Sequence, residues 1–216
     1  MKVNYDRLRN VYKGDIVLGE IEITGDPEIV YEDKYIIIVK DPVIFPDGTV
    51  GTHLRITEIS TLEGSTGTVV VPYSKKSIFM INIFRHPIRK WSIELPRGGR
   101  KNGELISECG YRELKEELGL EIEKHDARNV IGYINANTGI LNDKINIMKS
   151  DVDGLIKDML TTPVSKKETI AYITSIPMCG TNCVDDQIAL GKIHDAVTIA
   201  AYTLFKCKHP YLFERF

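Results

Sequence analysis

The chain has 216 residues, with 28 Lys and Arg against 30 Asp and Glu, a net charge of -2. That length supports one sizeable domain, or a main domain with a smaller appendage, whose core needs no disulfide staples. The balanced charge excludes a one-sign field for gripping a long nucleic acid or an anionic membrane, and no apolar run reaches the ~18 to 20 residues that span a bilayer.

The chain opens on a segment that reads as a short polar helix, "DRLRNVY", and continues into a strand-like "IVLGEIEIT". "KYIIIVKDPVIF", a turn at "PDG" and "TVGTHLRITEI" predict a hairpin with β-branched arms, so residues 1–64 form a small N-terminal β module. Three strands follow in "GTVVVPY", "SIFMINIFRH" and "WSIELP". The middle one is apolar at nearly every position, which predicts a central place in a sheet. "GELISECGYRELKEEL" then reads as a helix, with Gly119 as its C-terminal stop. Strands resume at "NVIGYI" and "KINIMKSDV", the polar "DGLIKDML" reads as helical, and a strand "TIAYITSI" leads into one closing helix, "DDQIALGKIHDAVTIAAYTLF". This order predicts an α/β or α+β fold, an α/β/α sandwich on a mixed sheet over residues 65–216.

Cys109, Cys179, Cys183 and Cys207 lack the spacing of a disulfide framework, and the N-terminus does not read as a secretion signal. A reduced, cytoplasmic protein is expected. "CGTNC" offers one cysteine pair, and His194 has no second histidine at finger spacing, so ordinary loop cysteines are expected rather than zinc.

The chemistry concentrates between residues 96 and 120. With Leu105 set to zero and ~100° per residue, Glu113 and Glu117 project at roughly 80° and 120°, inside the arc holding Ile106, Cys109, Gly110, Leu114 and Leu118. Glu104, Glu108, Tyr111 and Lys115 project to the opposite, solvent-facing arc. Like charges four residues apart repel, and partial burial adds a desolvation cost, so a cation must offset the inward pair. Arg112 projects beside Glu116 and away from the inward pair, which leaves a divalent metal as the better candidate. Carboxylate oxygens are hard ligands and predict Mg²⁺, or Mn²⁺ in its place, with a shell completed by water and phosphate oxygens.

The run from Gly98 through Glu104 to Arg112, Glu113, Leu114, Lys115, Glu116, Glu117, Leu118, Gly119 and Leu120 resembles the Nudix box of the Nudix hydrolases at each of its fixed positions. The resemblance implies that Glu113, Glu116 and Glu117 bind metal with the main-chain carbonyl of Arg97. It also implies that Glu104 and Arg112 pair to hold helix and loop in register, and that Gly98 and Gly99 allow the tight loop.

Flanking segments are similar to the ADP-ribose and ADP-sugar pyrophosphatase branch. By that likeness Arg85 and Glu94, in "NIFRHPIRKWSIELPRGG", contact substrate, and Asp143 is the acidic position after the box, where Asn137 and Thr138 replace the branch's Ser and Pro. Glu168 falls where a mobile-loop glutamate activates the attacking water, and Glu116 and Glu117 join it in the catalytic set. The N-terminal module is expected to form a homodimer and to complete the substrate pocket, where Tyr31 or Tyr35 could stack on a base. The implied reaction is metal-dependent hydrolysis of a nucleoside diphosphate linked to a sugar, giving a nucleoside monophosphate and a sugar phosphate. A nucleotide-sugar-binding regulatory domain with weak catalysis, or a hydrolase of GDP- or UDP-sugars, remains the alternative.

Overall fold

The computed structural model describes residues 5–122, 126–159 and 169–214. Two compact units are present, one made of the residues up to Thr66 together with Asn135–Lys144, the other of Gly67–Ile134 and the chain from Ile145 onwards.

In the first unit a short helix α1 (Asp6–Arg9) precedes strands β1 (Glu22–Ile23), β2 (Glu28–Glu32), β3 (Ile36–Ile44) and β4 (Val50–Glu58), followed by α2 (Ile59–Leu62). The expected hairpin is β3 with β4, antiparallel in continuous register from Ile36 against Glu58 to Ile44 against Val50. Gly48 closes its turn at φ +84, a conformation that glycine adopts without a Cβ penalty. Alternation along β3 buries Ile37, Val39 and Val43, and the first two pack with Leu8 and Leu62 into a small core. Part of the strand expected in "IVLGEIEIT" is instead a 3-10 turn, Ile16–Leu18, because Asp15 caps Val17 N and Gly19 takes φ +80. Asn135–Lys144 joins this unit through Ile56 N donating to Ile140 O, and Asn142 N donating to Ile56 O, both at 2.8 Å.

The second unit contains β5 (Thr68–Tyr73), β6 (Ser77–Arg85), β7 (Lys90–Glu94), β8 (Arg97–Gly98), helix α3 (Ile106–Glu113), β9 (Val130–Ile134), β10 (Ile145–Asp151), β11 (Ile170–Pro177), α4 (Val184–Ala189) and α5 (Ala196–Lys208). The sheet runs β11-β6-β5-β10-β9, with β7 on β6 and β8 on β5. It is mixed, since β10 lies parallel to β5 and the neighbouring pairs are antiparallel. Strand alternation sends Val69, Val71, Ile78 and Met80 to one face, against Val197, Ala201 and Phe205 of α5. Val70, Phe79, Ile81 and Ile83 go to the other, against Tyr111 of α3 and Leu114 and Leu118 just beyond it. Helices on both faces of a mixed sheet are the α/β/α arrangement anticipated from the sequence.

Three details differ from expectation. The closing helix is two helices, because Gly191 stops the first at φ +68 and the Asp195 carboxylate caps the second by accepting from Thr198 N. "DGLIKDML" forms a 3-10 run, Asp153–Asp158. Residues 114–118 form one π turn continuing α3. Among the described residues no helix is long and apolar enough to cross a membrane.

Candidate active site

Helix α3 begins where Glu108 reaches back to Leu105 N, at 2.8 Å, and its π turn ends where Gly119 takes φ +73. Gly110 lets the helix approach the sheet, since a Cβ there would stand 2.6 Å from Met148 Cε and 3.1 Å from Val70 Cγ2. This seating drives the far end of the helix and its π turn against the β8 loop.

There Glu113 and Glu117 are 5% and 1% exposed. Glu117 Oε2 accepts the Arg97 main-chain N–H at 3.2 Å. A Cβ on Gly98 would lie 2.0 Å from Glu113 Oε1, so the Glu113 carboxylate occupies the space that glycine leaves free. Both buried carboxylates therefore abut the same dipeptide, Arg97-Gly98. Glu116 faces outward, with 48% of its side chain exposed.

Arg112 ties the loop to the helix. Its Nε and Nη2 reach the two Glu104 oxygens at 2.8 and 3.2 Å, Nη2 also donates to Gly99 O at 2.8 Å, and Nη1 donates to Glu113 Oε1 at 2.5 Å and to Glu116 Oε2 at 3.4 Å. Flat guanidinium geometry makes this fork possible. Burial pushes the Glu104 carboxyl up, but the Arg112 bonds and the Lys101 main-chain N–H outweigh it and hold the group below its usual 4.5. These carboxylates, chiefly Glu104, raise Arg112 above its usual value.

Three projected positions are corrected. Tyr111, expected in the solvent arc, is 4% exposed, and its hydroxyl accepts from Asn129 Nδ2 at 2.7 Å. The buried arc of α3 is wider than the projection drew, because the Tyr111 ring packs in the core with the sheet residues and its hydroxyl is bonded by Asp126 and Asn129. Arg112, expected to point away from Glu113, bonds it directly. Glu104 precedes the first turn of α3 and so never belonged on its helical wheel.

Arg85 and Glu94 pair side-on, with Arg85 Nε 3.0 Å from both oxygens and Nη2 2.5 Å from Oε2. Burial works to lower the Arg85 pKa, yet Glu94 outweighs it and the guanidinium is held above its usual range. The Arg97 side chain, for which the sequence suggested nothing, donates to Glu94 Oε2 at 2.8 Å and to both Asp195 oxygens at 3.1 Å. Asp195 was the residue missed outright. Its signal was available, an Asp directly before the last helical run, but it reads as a cap and not as part of a site.

Cys109 lies under the loop, its thiol 3.7 Å from Gly98 O and pushed up to about 11, chiefly by burial. Asp143 and Tyr35 lie in the first unit. Asp143 Oδ1 accepts from Ala136 N at 3.2 Å and closes its own loop. Tyr35 is exposed, with Lys34 Nζ 4.7 Å from its ring centre, while the exposed Tyr31 donates its hydroxyl to Asp33 at 3.2 Å. Glu168 lies outside the described residues.

Among the described residues no three His, Cys, Asp or Glu side chains are gathered closely enough to enclose a metal ion. The chemistry of the donors nevertheless fits one kind of ion. Glu113 and Glu117 offer buried carboxylate oxygens and Arg97 a main-chain carbonyl, a set that suits a hard divalent cation. The nearby Cys109 thiol is protonated at neutral pH and no competitor as a soft ligand.

Residues 65–148 match the NUDIX domain family. A crystal structure of an ADP compounds hydrolase superposes with a TM-score of 0.65 over 89% of this chain and 95% of its own, at 16% sequence identity. At that identity the likeness is one of fold.

Proposed function

We propose that this chain, whose residues 65–148 match the NUDIX domain family, is a Nudix pyrophosphohydrolase that hydrolyses the diphosphate of a nucleoside diphosphate linked to a sugar, with ADP-ribose or an ADP-sugar as substrate. The products are a nucleoside monophosphate and a sugar phosphate. The observation that carries this reading is the pair of buried carboxylates, Glu113 and Glu117, set against a loop in which Gly98 has no room for a side chain. Burying two like charges side by side is costly, and a dinucleating or single-cation role explains why a fold would keep them. The ADP compounds hydrolase, similar across most of both chains, supports the choice of substrate class.

Glu113 and Glu117, with Glu116 swinging in from solvent and the Arg97 carbonyl, would hold the ion, Mg²⁺ or Mn²⁺. When bound, such an ion neutralises diphosphate oxygens and lowers the pKa of a bound water. The remaining work falls to the chain's own groups. Arg112 holds Glu113 and the Gly99 carbonyl in place, so the loop and helix meet the substrate as one rigid piece. Arg85, oriented by Glu94, presents guanidinium donors to diphosphate oxygens. Glu168 takes the proton from the attacking water. Tyr35 and Asp143 are further proposed substrate contacts, and the first unit is proposed to pair two copies of the chain.

A panel of ADP-ribose, ADP-, GDP- and UDP-sugars, dinucleoside polyphosphates and NADH, assayed with Mg²⁺ and with Mn²⁺, tests the reading. Fastest release of AMP from ADP-ribose or an ADP-sugar, lost on chelation and restored by the cation, is expected. Tight binding of these compounds without turnover would establish a regulatory binding domain in its place.

A further inference from the structure

Asp195 stands at the start of α5, remote in sequence from the box, yet it holds the residue just before the box, Arg97. Its two oxygens take both Arg97 Nη atoms at 3.1 Å, while Oδ2 also accepts Thr198 N at 2.8 Å. Arg97 then acts at both of its ends. Its main-chain N–H is bonded to Glu117 Oε2 at 3.2 Å, and its Nη2 reaches Glu94 Oε2 at 2.8 Å. Glu94, 1% exposed, thereby serves two guanidinium groups, Arg85 side-on and Arg97 through a single nitrogen. Asp195 is what keeps Arg97 to that single bond. Without it, Glu94 is the remaining carboxylate partner of the Arg97 fork among the described residues, and Arg97 can take it bidentately only by competing with Arg85 and dragging the 97–98 backbone that seats Glu117 and Glu113.

We propose that Asp195 is a positioning residue for the hydrolytic site. By clamping the Arg97 guanidinium to the N-terminus of α5, it fixes the orientation of Glu117 on one side and reserves Glu94 for Arg85 on the other. This rests on the reading of Glu117 as a cation ligand. Capping α5 is the plainer role of the same carboxylate, and the two separate in one substitution. Asp195→Ser keeps a hydroxyl that accepts from Thr198 N but removes the partner of Arg97.

The full-length wild type, D195S, R97A and the double variant are compared for melting temperature, for Mn²⁺ affinity by electron paramagnetic resonance, and for ADP-ribose hydrolysis. D195S is expected to melt close to the wild type, to bind Mn²⁺ about tenfold more weakly and to turn over about tenfold more slowly, in the range seen when groups supporting metal ligands are removed. In the R97A background, D195S should add no further loss of Mn²⁺ affinity, because the clamp has nothing left to hold. Wild-type affinity and turnover in D195S, or fully additive losses in the double variant, overturn the proposal and leave the hydrolase reading standing. A wild type that neither binds Mn²⁺ nor hydrolyses any substrate overturns both.

Discussion

The residue with the least freedom in this site is Gly98. An alanine there would put its Cβ 2.0 Å from Glu113 Oε1 and 2.3 Å from Cδ, and Glu113 cannot swing aside without leaving Arg112 at 2.5 Å. Gly98→Ala is expected to fold, at a cost of about 1 to 3 kcal/mol for local overpacking, and to weaken cation affinity on the order of 10- to 100-fold. Calorimetric titration with Mg²⁺ or Mn²⁺ checks this, and undiminished affinity would mean that Glu113 does not ligate. Glu104 gives a pH signature. Its folded-state pKa lies below the ordinary 4.5, so its pairing contributes stability that is fully present above that value and is lost as pH falls through the folded-state value. The urea midpoint should therefore drop below about pH 4.5, and Glu104→Gln should flatten that part of the curve. At this scale the local spacing of Gly98, Glu104, Arg112 and Glu117 is what singled them out in the sequence. The sequence was silent on the side chain of Arg97, whose partner Asp195 is distant along the chain.

At the scale of elements, the strands were legible from their alternation or their continuous apolar runs. The misreadings came where one local choice overrode periodicity. A left-handed glycine at 191 split the last helix, and an Asx-capped turn at Asp15 replaced part of a strand. The π turn at Leu114–Leu118 was invisible to a projection that assumes a constant angle per residue. Close seating of α3 on the sheet is also an element-level property. Gly110→Ala would place a Cβ 2.6 Å from the flexible end of Met148 and 3.1 Å from Val70, lifting the helix or repacking the methionine. A loss of about 1 to 3 kcal/mol in urea unfolding is expected, and a neutral or stabilising effect would show that the helix has slack.

For the whole molecule, the chain divides into two compact units, and the return of Asn135–Lys144 to the first could not be read from the sequence, because it depends on main-chain bonds to Ile56 that carry no side-chain signature. That first unit carries exposed Ile29, Val30 and Tyr31 on β2, and exposed Val50 and Leu54 on β4. Apolar side chains on exposed strands of a small sheet favour association, which supports the proposed homodimer. Sedimentation should report a dimer, and Val30→Lys should shift it towards monomer with slower ADP-ribose turnover; a monomeric wild type with full activity would overturn the proposed dimer and any part of it in turnover.

The most direct measurement of the central claim is ADP-ribose hydrolysis by Glu117→Gln in Mg²⁺. Glutamine keeps the shape and an oxygen able to accept the Arg97 N–H, so the fold should survive with an unchanged circular dichroism spectrum and melting temperature. Loss of the anionic ligand should lower turnover by about a thousandfold or more. Turnover within a few-fold of the wild type, from a protein equally folded, would contradict the assignment of the buried carboxylates as the hydrolytic metal site.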